Sequence, residues 1–203
     1  ELPLVFLLGQ RYVDAMRTGR EEFQRRIGDQ HEVPPVPPLC ERKRPHLPRT
    51  VFETLAESPY LGGNELELLV NGTATFKAVF AAIEGAKKYV LIQFYIVRDD
   101  SLGQELGELL VRKAREGVHI RFLYDELGSY KTPAAYWETL RAAGVEASPF
   151  HTTRGPGNRF QLNFRNHRKI VVVDGHTAFV GGHNVGTEYL GGKDNGYGGW
   201  RDT

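Results

Sequence analysis

From Glu65 to Val70 apolar and polar residues nearly alternate, the two-residue period of a strand. From Thr73 to Ala86 the period changes: Phe76, Val79, Phe80 and Ile83 recur at three- and four-residue intervals, which predicts a helix. Tyr89 to Val97 is a long apolar run rich in β-branched and aromatic residues. It reads as a central strand, buried on both faces of a parallel sheet. A helix carrying Leu102, Leu106, Leu109, Leu110 and Ala114 follows, capped by Asp100 or Ser101 and ended at Gly117. Val118 to Tyr124 reads as a strand, and Pro133 opens a helix with Tyr136, Trp137 and Leu140 that Gly144 ends. Val145 to Phe150 gives a short strand and His151 to Asn158 a loop. Ile170 to Val173, the turn signal Asp174-Gly175 and Ala178 to Val180 make a hairpin. This βαβ rhythm points to an α/β class.

The first third of the chain has a different texture. Leu2 to Leu8 is apolar but far shorter than the roughly 20 residues a membrane span requires. Tyr12, Val13, Met16, Phe23 and Ile27 follow helical spacing with arginines at the margin, an amphipathic helix suited either to anionic lipid or to its own domain. Pro34-Pro35-Val36-Pro37-Pro38 breaks it, and the charged, Pro-rich stretch to Pro48 is a linker. A short helix around Val51, Phe52 and Leu55 ends at Pro59. The expected division is residues 1–30, a helical segment; 31–48, a linker; and 49–203, the main α/β part.

Composition narrows the functional classes. A chain of 203 residues supports one ordinary core, and a formal net charge of +1 argues against a surface that coats nucleic acid. Cys40 is the only cysteine, so neither an internal disulfide nor a cysteine metal site forms, which fits a cytosolic compartment. His46, His119, His151 and His176 lack the spacing of a metal site, and none is assigned. The chain opens on Glu1 rather than Met and stops at Thr203 inside a motif, and so reads as a fragment.

Chemistry concentrates between Asn166 and Asn184. On a strand His167 and Lys169 project from the same face, and Arg168 and Ile170 from the other. A base or nucleophile thus sits beside a fixed cation. After the hairpin, Gly181-Gly182 leaves backbone open to a bound group and Asn184 adds an amide donor, a combination that suits a phosphate. Asp174, at the turn, fits an Asx-type bond better than phosphate contact. The segment Tyr124-Asp125-Glu126-Leu127-Gly128-Ser129 closes a strand where open α/β sheets place ligand loops; it reads as a capped turn more than as a substrate contact.

The order His-x-Lys, four residues, Asp, six residues, Gly-Gly-x-Asn resembles the signature of the phospholipase D superfamily. The longer string from Arg165 to Gly175, then Gly181 to Gly191 and Trp200-Arg201-Asp202-Thr203, is similar to the first catalytic half of bacterial cardiolipin synthases, and the similarity reaches back to about Glu65. Two positions depart from it: His183 replaces a usually apolar residue, and Thr187 stands where many members carry Asp.

The resemblance implies a phospholipase D-like mixed, largely parallel sheet flanked by helices, with an N-terminal helical segment. It implies no metal and no cofactor. It also implies membrane helices ahead of the catalytic part, which makes residues 1–30 a membrane-proximal remnant on the cytosolic side of the inner membrane, their arginines matching a cytoplasmic flank. The implied reaction joins two phosphatidylglycerol molecules into cardiolipin through a phosphohistidine. Its partners are then anionic phospholipid, the membrane, and a second catalytic half in the same chain or a dimer partner, with no nucleic acid. The implied catalytic residues are His167, Lys169, Asp174 and Asp202, and the phosphate-binding ones His167, Lys169, Gly182 and Asn184. Asp174 lies seven residues from His167, about 20 Å along a strand, too far to orient the imidazole. Asp202 is favoured over Glu188 for that role, because Glu188 follows Asn184 too closely to reach a neighbouring strand without a tight reversal. One motif copy supplies half of an acid/base pair, so the fragment alone is expected to be inactive. Two rivals are a phospholipase D-like hydrolase or nuclease using water, and a non-catalytic membrane-docking or assembly module.

Overall fold

The computed structural model describes residues 64–150, 165–191 and 200–203. The expected segments before residue 64, the 31–48 linker and the 151–158 loop lie outside the described residues. Two compact units divide the chain, Glu1–Leu66 and Glu67–Thr203, and the second carries every helix and strand of the described residues.

Its elements are α1 (Asn71–Glu84), β1 (Tyr89–Phe94), α2 (Ser101–Arg115), β2 (His119–Asp125), α3 (Ala134–Ala142), β3 (Glu146–Phe150), β4 (Ile170–Val173), β5 (Thr177–Val180) and a 3-10 turn (Thr187–Leu190). The strands form one sheet in the order β3-β2-β1-β4-β5. β1 with β2 and β2 with β3 are parallel; β1 with β4 and β4 with β5 are antiparallel. The sheet is mixed and flanked by helices, as expected.

Local signals act where they were read. The Asp100 carboxylate accepts the Gly103 N–H at 3.1 Å and starts α2, and Gly117 and Gly144 take left-handed φ values of 93° and 98° after α2 and α3. The core is one cluster in which Ile83, Leu106, Leu110, Phe122 and Leu140 are at most 1% exposed. Complete burial of such a side chain stabilises by about 1.5–3 kcal/mol.

Two expectations need correction. Glu65 to Val70 is not a strand: these residues carry no ladder, and Leu68 stays 73% exposed. An alternating pattern makes a strand only where a neighbour takes its backbone hydrogen bonds. The run Tyr89–Val97 is indeed central, but it is not buried on both faces. Val90, Ile92 and Phe94 are buried under the helices while Leu91 on the opposite face is 40% exposed. Nor does it remain a strand to its end, since β1 stops at Phe94 and Tyr95 to Val97 leave the sheet.

Gly72 shows how closely the layers meet. A Cβ there would lie 1.9 Å from the Tyr189 carbonyl oxygen, so only glycine lets α1 seat against the 3-10 turn. The Thr73 hydroxyl adds a bond to the Leu190 carbonyl at 2.9 Å. Among the described residues no helix is long and apolar enough to cross a membrane.

Candidate active site

The register gathers the chemistry at one edge of the sheet. Phe94 pairs with Tyr124, Gln93 with Ile170, and Ile170 with Val180. Tyr95, Asp125, Lys169 and Gly181 therefore all follow or precede paired residues at the same end, the carboxyl end of the parallel strands.

β4 starts at Ile170, so His167 and Lys169 stand just before the strand rather than on it. The extended chain keeps the two-residue alternation: Lys169, Val171 and Val173 are buried, Arg168 is exposed. The Lys169 Nζ lies 2.9 Å from His167 Nδ1 and donates to the His167 carbonyl at 2.6 Å. An ammonium has only donors, so Nδ1 accepts, and a neutral ring then carries its proton on Nε2. Partial desolvation and then the neighbouring ammonium lower the His167 pKa, against an opposing pull from Asp125. A neutral imidazole with a usable lone pair is thereby favoured. Burial also lowers the Lys169 pKa, opposed by Asp202.

Asn184 is 4% exposed and occupied on both sides: Oδ1 accepts the Ile96 N–H and Nδ2 donates to the Tyr189 hydroxyl, each at 3.0 Å. One N–H of its amide remains for a ligand. Gly182 differs from its expected role. Its N–H donates to the Thr203 carbonyl at 3.2 Å, and the space a Cβ would fill is taken by the Asp202 carboxylate, whose Oδ2 would lie 2.0 Å away. The glycine makes room for an acid rather than opening an amide.

Asp202 thus reaches the site, but by a different contact. Its carboxylate accepts the Thr203 N–H at 2.8 Å, its carbonyl accepts the Asn71 N–H at 2.9 Å, and its charge acts on Lys169 and His183. Among the described residues no hydrogen bond joins it to His167. Glu188 pairs with Arg98 at 3.5 Å. His183 is 3% exposed, neither ring nitrogen is hydrogen-bonded among the described residues, and its ring meets Phe76 edge-on at 6.4 Å. Burial lowers its pKa, against an opposing pull from Asp202, and so favours the neutral ring.

Asp174 lies at the other end of β4. Its carboxylate accepts the N–H groups of Lys87, Lys88 and Tyr89, all at 2.8 Å, and these bonds hold its pKa down at about 2. The expected Asx-type bond within its own turn is replaced by a clamp on the α1–β1 loop.

Three residues gain a place that spacing alone did not assign. The Tyr95 ring packs against His167 with centroids 4.6 Å apart and the two planes tilted by 49°. Asp125 is 1% exposed; its Oδ1 accepts the Leu127 and Gly128 N–H groups at 2.9 Å, the capped turn its sequence suggests. Its Oδ2 makes no hydrogen bond among the described residues. Arg165, on the His167 side of the alternation, brings Nη1 to 3.7 Å from Asp125 Oδ1.

The sequence matches the family described as "Cardiolipin synthase, PLD-like domain" over residues 79–195. Cardiolipin synthase A of Pseudomonas putida is 58% identical over 149 residues, 73% of this chain and 31% of that protein. Its counterpart in Pseudomonas fluorescens is 48% identical over 194 residues, 95% of this chain and 40% of that protein. The chain therefore spans 31% to 40% of the length of these curated relatives. Among solved structures, the phospholipase D family member Nuc from Salmonella typhimurium is 20% identical with a TM-score of 0.45, covering 62% of this chain and 70% of that one.

Proposed function

As the chain belongs to the cardiolipin synthase, PLD-like family, we propose that it supplies one half of a phosphatidyltransferase site that makes cardiolipin from two molecules of phosphatidylglycerol. The observation that carries this reading is the pairing of a neutral-leaning His167 imidazole with the Lys169 ammonium 2.9 Å from its ring.

In the first step the imidazole lone pair attacks phosphorus, a P–N bond forms and the P–O bond to the terminal glycerol breaks. A second imidazole, from another motif copy in the complete chain or in a partner, protonates the departing alkoxide, and glycerol leaves. That same imidazole then takes the proton from a hydroxyl of the second phosphatidylglycerol. The resulting oxygen attacks phosphorus, the P–N bond breaks and His167 is restored. The ammonium serves the phosphoryl oxygens when it turns from Nδ1 toward them, which also frees that ring nitrogen. Removing one preorganised donor costs about 3–4 kcal/mol in acyl-transfer enzymes, the scale expected for a donor to the phosphoryl oxygens here. The remaining Asn184 N–H is a second such donor, and Asp202 sets the charge balance around Lys169.

The substrate is a membrane lipid, so the reading places the catalytic part at the cytosolic side of the inner membrane, with residues 1–30 toward the bilayer. The complete protein incubated with phosphatidylglycerol vesicles tests it, with products followed by mass spectrometry. Cardiolipin and glycerol in equal amounts support transfer. Phosphatidic acid and glycerol without cardiolipin would make water the acceptor and replace the synthase reading with a hydrolase. No phosphatidylglycerol turnover by a folded, complete protein would favour the docking module.

A further inference from the structure

His167 is exposed, and among the described residues its ring hydrogen-bonds only to Lys169. A nucleophilic imidazole needs a fixed plane as well as a free lone pair, because misplacing a reacting atom by about 1 Å costs on the order of a hundredfold in rate. Among the described residues no carboxylate bond supplies that plane. Tyr95 covers the ring instead.

The chain leaving β1 is held on both sides in a way that aims this side chain. The Ser129 hydroxyl donates to the Tyr95 carbonyl at 3.3 Å and accepts the Val97 N–H at 3.0 Å. Asn184 accepts the Ile96 N–H at 3.0 Å, and Val185 donates to the Ile96 carbonyl at 3.1 Å. Thr132 adds a bond to the Val97 carbonyl. Three consecutive residues outside the sheet are thus fixed by two other segments. Gly128 completes the support: a Cβ there would lie 2.2 Å from the Tyr95 carbonyl oxygen and 3.1 Å from its ring. Asp125 in turn anchors Gly128 through its N–H.

We propose that Tyr95 is a positioning residue for the nucleophile, an aromatic wall that sets the plane of His167 and excludes water from one of its faces, and that Asp125 to Ser129 is the brace for this wall. The assignment deepens the phosphatidyl-transfer reading and rests on His167 being the reacting base. The ring acts by contact, so its hydroxyl is dispensable. It also borders the second functional group, since Lys169 Nζ lies 5.7 Å from its centroid, within range of a cation–π attraction. The charged groups that face His167 are Lys169 beside it and Asp125 with Arg165 behind it, while Asp202 acts through Lys169. Replacing Tyr95 leaves Asp125, Arg165 and Asp202 in place; it removes the cover on the His167 ring and, in Tyr95→Ala and Tyr95→Leu, the aromatic face beside Lys169.

Two measurements test the wall, one free of substrate. In the 203-residue chain, the His167 imidazole resonances are titrated by NMR in wild type, Tyr95→Phe, Tyr95→Leu and Tyr95→Ala, with His167→Asn giving the assignment. Tyr95→Ala should move the His167 titration up toward the ordinary imidazole value, and Tyr95→Phe should leave it in place. In the complete protein, Tyr95→Ala should lower kcat about 10- to 100-fold with KM within about twofold, and Tyr95→Phe should restore activity to within about threefold of wild type. The acid limb of the rate profile should shift with the titration. Tyr95→Leu, which keeps an apolar cover without a flat ring, should fall between the two. An unchanged titration and rate in Tyr95→Ala would overturn the proposal. Equal damage from Tyr95→Phe and Tyr95→Ala in folded protein would do the same, by making the hydroxyl the acting group. If wild type itself fails to turn over phosphatidylglycerol while the titration shifts as described, the transfer reading falls and the wall stands.

Discussion

The two ends of β4 belong to one motif and are treated in opposite ways. At the amide-rich end Asp174 is bonded by three backbone N–H groups, its carboxylate fully committed and its pKa held at about 2. At the other end charges are crowded but, among the described residues, only partly paired: Lys169 is 6% exposed with no carboxylate bonded to it, Asp125 keeps one oxygen without a hydrogen bond, and His167 leans on an aromatic ring. A fold normally satisfies its buried polar groups. Where it does so, as at Asp174, the residue holds the frame. Where it stops short, a ligand's charge has something to complete.

If that contrast is right, the same kind of substitution should have opposite consequences at the two ends. The largest effect is expected from His167→Asn, which removes the lone-pair nitrogen: transfer by the complete protein should drop by roughly four orders of magnitude or more. Its melting temperature should stay close to wild type because the ring is exposed. Substantial residual turnover would remove His167 from the covalent role.

Lys169→Met comes next. Losing the ammonium should lower kcat about 100- to 1000-fold. The acid limb of the rate profile should also move to higher pH, because the neighbour that helps hold the His167 pKa down is gone. A limb that stays put would mean that burial alone sets the imidazole.

Asp174→Asn should behave in the reverse sense, lowering stability while leaving activity per folded molecule near wild type. The pH dependence distinguishes it. The folded carboxyl titrates at about 2 and the ordinary one at 3.8, so between these values the unfolded chain binds more protons. The stabilisation is complete above the ordinary value and is lost as pH falls through the folded one. Thermal melts across that window should show a slope in wild type that Asp174→Asn lacks. An equal slope in both would assign the acid sensitivity to other carboxylates.

The smallest effect is expected from Arg168→Gln. Its side chain leaves the opposite side of the extended run, exposed and away from His167 and Lys169. Activity should remain within about twofold, as for an exposed charge outside the site. A loss comparable to that of Lys169→Met would mean that the alternation fails ahead of β4.

The hairpin, the helix ends at Gly117 and Gly144, and the meeting of His167 with Lys169 were legible because each depends on neighbours a few residues apart. Tyr95 was not, although it lay in plain view inside an apolar run. Nothing local distinguishes the last three residues of that run from the six before them; Ser129 and Asn184, far along the chain, pull them out of the sheet. The Glu65–Val70 alternation misled for the same reason, because pairing is a property of two segments. Asp202 was half legible: its arrival near the site followed from the family pattern, but its partner did not. Gly182 offers the space and Lys169 the charge, whereas no bond to the imidazole forms among the described residues.

The bond from the Asn71 N–H to the Asp202 carbonyl joins the first turn of α1 to the far end of the described chain. Contacts that close so long a loop are disfavoured until the intervening core exists to compensate the lost chain entropy. Asp202 is therefore expected to reach the neighbourhood of Lys169 late in folding. A partly folded chain would hold the histidine and lysine without their counter-charge, so the electrostatic balance of the site becomes a property of the finished fold. A nascent chain still lacking its Trp200 to Thr203 segment would carry the signature and not yet the site.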